Sequence, residues 1–92
     1  MVTGINNEST NSSISIFPNP FSEFTTIQIG KDIKLANAEM HIYDMLGKEV
    51  KLISKINSNE IKIDSKGLSE GMYLYKFIND GETIASGKLF IK

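Results

Sequence analysis

Met72-Tyr73-Leu74-Tyr75-Lys76-Phe77-Ile78-Asn79-Asp80-Gly81-Glu82-Thr83-Ile84 carries the clearest structural signal in the chain. Its side chains alternate. Tyr73, Tyr75 and Phe77 fall on one face of an extended strand, and Met72, Leu74, Lys76 and Ile78 fall on the other. Asp80-Gly81 then supplies the left-handed residues that a tight hairpin turn requires. The stretch predicts a β-hairpin whose return strand runs from Thr83 to Ile91. Gly87 sits inside that return strand, where the usual reason for a glycine is a bulge or a close backbone approach.

The same alternation recurs toward the N-terminus. Ile61 and Ile63 carry a short strand that ends at Asp64-Ser65-Lys66-Gly67. Val50, Leu52 and Ile56 lie on a strand bounded by the turn Asn57-Ser58-Asn59 and by the hairpin loop Met45-Leu46-Gly47-Lys48, with Gly47 at the positive-φ position. Across Ala38 to Asp44, Met40 and Ile42 face one way and Glu39, His41 and Tyr43 the other. Thr25, Ile27 and Ile29 share a face of the run from Thr25 to Ile29. Ile14 to Phe17 form a first strand, stopped at Pro18-Asn19-Pro20 because neither proline has an N–H to donate. Gly30 to Asn37 is a mixed polar connection. A short helix has room only between Lys31 and Met40, where Asn37 and β-branched flanks weaken it. About seven strands at intervals of roughly 8–12 residues predict an all-β, antiparallel β-sandwich.

Leu68-x-x-Gly71-x-Tyr73 has the layout of a tyrosine corner, in which a tyrosine near the start of a late strand bonds back to backbone a few residues upstream. The role expected of Tyr73 is stability, not chemistry.

Composition narrows the class. A chain of 92 residues reads as one domain, and a hydrophobic fraction of 40% suffices for one core. Residues 1–13 are almost wholly polar and predict a flexible linker, leaving the domain at 14–92. The Asn-x-Ser matches at Asn7 and Asn11 are expected by chance in such a segment. Met1 opens a polar stretch without a basic start and an apolar run, so the N-terminus does not read as a secretory signal peptide but as the start of a fragment of something longer. No stretch approaches the roughly 20 apolar residues of a membrane helix. A net charge of -1 with mixed signs lacks the basic stripe of a nucleic-acid binder and gives no electrostatic reason to sit on an anionic membrane. There is no cysteine, which rules out thiolate catalysis and cysteine metal sites.

No catalytic constellation emerges. The single histidine, His41, stands on a polar strand face three residues before Asp44, with no nucleophile elbow or oxyanion loop nearby in sequence. Asp32, Asp44, Asp64 and Asp80 lie in or beside turns, where aspartate bonds local backbone, and no calcium-loop pattern is present. The glycines fall singly, so there is no phosphate cradle. The stripe Tyr73, Tyr75, Phe77 fits a sandwich interior better than an exposed sugar platform. The chain is expected not to be an enzyme and to need no cofactor or metal.

Four motifs occur in a fixed order: Phe17-Pro18-Asn19-Pro20, Tyr43-Asp44-Met45-Leu46-Gly47-Lys48, Leu68-x-x-Gly71-Met72-Tyr73, and Gly87-Lys88-Leu89-Phe90-Ile91-Lys92. Together they resemble the type A C-terminal sorting domain of the type IX secretion system, over about residues 14 to 92. Pro18, Asn19, Pro20, Asp44, Gly47, Gly71, Tyr73, Gly87 and Lys88 fall on the family's motif positions. Phe17 stands where tyrosine is frequent, and Met72 where valine is frequent.

The resemblance implies an immunoglobulin-like sandwich at the end of a cargo protein of Bacteroidetes-type bacteria. It implies a sorting signal read by the type IX translocon, which takes folded cargo from the periplasm across the outer membrane to the cell surface or medium. It also implies a sortase-like surface peptidase that removes the domain in the preceding linker. The final strand is the expected reading element, since an edge strand offers backbone groups for β-augmentation. The competing expectations are an accessory carbohydrate- or protein-binding module, or a structural spacer of an adhesin. An exposed Tyr73 stripe would favour the first of these, and native residues beyond Lys92 the second.

Overall fold

Alternating apolar and polar side chains put seven segments of residues 14–92, which the computed structural model describes, into β-strands. The expected linker, with Asn7 and Asn11, lies outside the described residues. The strands are β1 (Ile14–Phe17), β2 (Phe24–Ile29), β3 (Ala38–Tyr43), β4 (Glu49–Ile56), β5 (Glu60–Asp64), β6 (Gly71–Asn79) and β7 (Glu82–Ile91). Among the described residues no helix forms, and the segment Lys31 to Asn37 is an irregular connection.

The strands form two antiparallel sheets, one of order β1-β2-β5 and one of order β4-β3-β6-β7. β4 extends the sheet of β3, β6 and β7, as an added strand does in variable-type immunoglobulin sandwiches. The expected immunoglobulin-like, seven-strand sandwich is thus the observed fold.

The apolar faces read from the spacing in β2, β3 and β6 lie in the core, together with side chains of β5 and β7 for which the spacing assigns no face. Ile27 and Ile29 from β2, Met40 and Ile42 from β3, Ile63 from β5, Tyr73 and Phe77 from β6, and Ala85, Leu89 and Ile91 from β7 are all buried. Phe77 is fully enclosed and among the largest of the wholly buried side chains. Thr25 is also fully buried, and its hydroxyl donates to the Pro18 carbonyl at 2.6 Å, so a polar group inside the core is satisfied.

Two details depart from the simple pattern. On β4, Leu52 is 47% exposed, whereas Ile53 and Ile56 pack inward. The register explains this. Met40 pairs with Ile53 and Ala38 with Ile56, so β4 carries one extra residue, a bulge at which Lys55 takes a φ of 55°. Strict period two fails across that point. The second departure is Phe21, which lies outside every strand yet is buried. It makes a parallel bridge to Ile91, with Phe21 N–H donating to the Phe90 carbonyl and Lys92 N–H to the Phe21 carbonyl, both at 2.9 Å.

The β6–β7 turn matches its prediction. Asp80 and Gly81 both have positive φ, 52° and 79°, as a type I′ hairpin requires. Asn79 then locks the turn to the irregular connection: its Oδ1 accepts from Ala36 N–H at 2.8 Å and its Nδ2 donates to the Lys34 carbonyl at 2.9 Å.

Candidate functional site

Most of the residues singled out in the sequence hold backbone in place. Asn19 does so most directly. Its Nδ2 donates to the Lys88 carbonyl at 3.0 Å, and its Oδ1 accepts from Phe90 N–H at 2.9 Å. A side-chain amide carries the same donor and acceptor as a peptide, so Asn19 pairs with the outer edge of β7 as a strand residue would. Phe21 continues this pairing two residues on. Pro18 and Pro20 flank the contact; both have cis peptide bonds before them, and the Pro18 carbonyl is the acceptor for Thr25. Farther along, the Ser22 carbonyl accepts from Ser65 Oγ at 2.6 Å, and the Glu23 carbonyl from Ser65 N–H at 2.9 Å. Residues 18–23 form a strap that ties β7 to the opposite sheet.

The strap corrects one expectation. The final strand as a whole is expected to offer open backbone groups at its edge, and toward its C-terminal end it does not. The Lys88 carbonyl, the Phe90 N–H and carbonyl, and the Lys92 N–H are instead all paired.

Asp44 closes the β3–β4 hairpin. Its Oδ1 accepts from Leu46 N–H at 2.9 Å and Lys48 N–H at 3.0 Å. Gly47 and Gly71 take φ values of 88° and 151°, where a side chain is strained. Tyr73 is the tyrosine corner: its hydroxyl donates to the Ser69 carbonyl at 2.6 Å, with Ser69 Oγ at 3.3 Å.

Gly87 is explained by a ring. It pairs with Tyr75, and a Cβ at residue 87 would lie 2.9 Å from the Tyr75 ring. The expected close approach is real, but a side chain makes it, and the register shift of this hairpin lies instead at Phe77/Ile78. Tyr75 is half-buried, unlike Tyr73 and Phe77, and burial raises its phenol pKa.

Lys88 differs from these residues. Its carbonyl is held by Asn19, but its side chain projects from the exposed face of β7 and has no ion-pair partner among the described residues. It shares that face with Leu74, directly opposite on β6, and with Tyr43, opposite Leu74 on β3.

His41 sits on the same face between two carboxylates. Nδ1 lies 2.5 Å from Glu49 Oε1, and Nε2 lies 2.9 Å from Glu39 Oε1. The ring stacks on Tyr43 with centroids 6.3 Å apart. The hydrogen bonds to Glu49 and then Glu39 raise the His41 pKa, against a smaller effect of burial. Both ring nitrogens are engaged by acids, and Asp44 is turned to its own loop. That arrangement suits an ion-pair cluster and leaves the imidazole no serine to activate. At the seam between the sheets, Lys51 Nζ lies 3.1 Å from Asp64 Oδ1, and this contact, with Lys66 N–H, lowers the Asp64 pKa. Among the described residues no cluster of His, Asp and Glu could hold a metal, and no helix is long and apolar enough to cross a membrane.

Sequence reasoning missed Phe21 and the pairing role of Asn19. The available signal was a large aromatic residue directly after a proline-flanked asparagine, too long in side chain to be left over in a turn.

Comparison with known proteins gives three findings. The family model described as secretion system C-terminal sorting domain matches residues 15–92. No curated protein matches the chain. Among solved structures, the crystal structure of CopC from Methylosinus trichosporium OB3b superposes with a TM-score of 0.52 at 20% identity, covering 85% of this chain and 90% of that one. At that identity the likeness speaks to the fold alone.

Proposed function

Because this chain belongs to the secretion system C-terminal sorting domain family, we propose that it is the tag by which a type IX secretion system recognises an attached cargo protein and carries it from the periplasm across the outer membrane. The observation that carries this reading is the family match over residues 15–92, on a two-sheet sandwich whose described residues hold no metal-binding cluster. Recognition of a folded surface needs neither cofactor nor turnover. The partners are the translocon, the cargo joined to the N-terminal side, and a sortase-like peptidase that cuts in residues 1–13 once the cargo is outside. The cargo ends secreted or on the cell surface.

Pro18, Asn19, Pro20, Asp44, Gly47, Gly71, Tyr73 and Gly87 serve the tag by holding its shape, and Lys88 by presenting its side chain. A carbohydrate-binding module would need the aromatic stripe outside, and Tyr73 and Phe77 are buried.

The test fuses residues 1–92 to a fluorescent reporter in a host with type IX secretion. The reporter is expected at the surface or in the medium, and in the periplasm when the translocon is deleted. Equal distribution with and without the tag would refute the reading.

A further inference from the structure

The outer face of the β4-β3-β6-β7 sheet has an uneven chemistry. Register places Tyr43 beside Leu74 and Leu74 beside Lys88, with Met72 beside Phe90 one step along. Residues opposed in this way share a face with Cβ atoms about 5 Å apart, so Tyr43, Leu74, Met72 and Phe90 form one continuous stripe, with Lys88 at its border. Phe90 is 39% exposed at its margin. Tyr43, Leu74, Lys76 and Ser86, with Tyr75 and Gly87 beneath, line a hollow of about 260 Å³.

Charge on this face is unevenly paired, although Lys76 stands directly opposite His41. Glu39 and Glu49 are both turned onto His41. Lys76 and Lys88, which border the hollow and the stripe, have no ion-pair partner among the described residues. The opposite outer face is different. There the exposed Phe24 ring is already covered by the Lys62 ammonium at 4.5 Å. Phe17 is 49% exposed opposite Thr26, but it does not border the hollow at the far end of β2, which is lined by polar Ser15, Gln28, Asn59 and Glu60.

We propose that the Tyr43–Leu74–Phe90 face, with Lys76 and Lys88, docks an acidic segment of a partner protein that places an apolar side chain in the hollow and carboxylates on the two lysines. This rests on the sorting reading and names the surface by which the tag is read. Apolar contact supplies area, and the two ammonium groups set orientation and reject basic surfaces. A protein partner fits better than an anionic membrane. Each lysine near a lipid surface contributes only about 1 kcal/mol, and anchoring takes clusters of several, whereas this chain is net negative at -1.

The reporter fusion provides the test, with the full chain as tag. The Lys76→Glu/Lys88→Glu double variant, and separately Leu74→Ser, are expected to lower exported reporter at least tenfold while purified tag keeps its thermal midpoint. Lys62→Glu, on the opposite face, is expected to export like the parent. If the parent exports and the double variant exports equally, the docking face is wrong and the sorting reading stands. If the parent itself is not exported, the sorting reading fails and the docking face with it. Purified tag that co-sediments with phosphatidylglycerol vesicles, and loses this in the double variant, would make the occupant a lipid and overturn the protein partner.

Discussion

Tyr73 and Gly87 show how one atom at one position carries structural weight. The Tyr73 hydroxyl donates to a backbone carbonyl from within a largely buried side chain. Tyr73→Phe keeps the ring and removes the bond, so urea denaturation should show a loss of about 1 kcal/mol with an unchanged slope. Gly87→Ala would drive a Cβ into the Tyr75 ring, and an overpacked site of this kind costs about 1–3 kcal/mol. A double-mutant cycle with Tyr75→Leu should recover much of that cost, because the obstructing ring is gone; additive effects would refute the clash. His41 makes the third case. Its folded pKa is raised, so the folded state holds the proton more tightly than the unfolded chain. The stability this contributes is complete below the unfolded value of about 6.5 and is lost as pH rises through the folded value. Lys76 lies opposite His41 on β6, and the hydrogen bonds to Glu49 and Glu39 outweigh the opposing effect of burial. His41→Gln should flatten stability against pH in that window, measured as thermal midpoints across the pH series.

At the scale of elements, the strap matters because it covers a sheet edge. β7 is a sheet edge ten residues long, and such edges template unwanted pairing. Asn19 and Phe21 cover its C-terminal part. Asn19→Leu should therefore cost about 1–2 kcal/mol for two lost hydrogen bonds. It should also speed amide exchange at Phe90 and raise self-association in sedimentation experiments. Unchanged exchange at Phe90 would mean that the strap is held by Phe21 alone. The strands themselves were legible because period two is a local property: Thr25, Ile27, Ile29, Met40 and Ile42 could be assigned inward from their spacing, and Asp80-Gly81 named its own turn. The strap was not legible, because its partners lie 69 and 71 residues away and an asparagine between prolines carries no period. The β4 bulge was hidden for a related reason. One inserted residue shifts which side chains face inward, and Leu52 and Ile53 are equally apolar candidates. Of the candidate site, the motif positions could be located from sequence, but which of them hold the backbone and which present a side chain depends on contacts between distant strands.

For the whole molecule, the strap near the start of the described chain and the last strand close the structure on each other. β7 pairs with β6 along its length, contributes Ala85, Leu89 and Ile91 to the core, and receives the strap on its outer edge. Removing Ser86–Lys92 takes away two buried aliphatic side chains, each worth about 2–5 kcal/mol when truncated to Ala, together with the strap's anchors. A domain of this size holds only a few kcal/mol in reserve. The truncated chain should consequently lose its cooperative thermal transition, and circular dichroism with proteolysis would detect this. Its export should fail too, but through unfolding, so that failure by itself cannot locate the recognition surface. The Lys76→Glu/Lys88→Glu variant separates the two causes, since both ammonium groups lie outside the core and the ion-pair clusters. A truncation that kept a sharp transition near the parent's midpoint would show β7 to be dispensable for folding, and would return the final strand to candidacy as the element that is read.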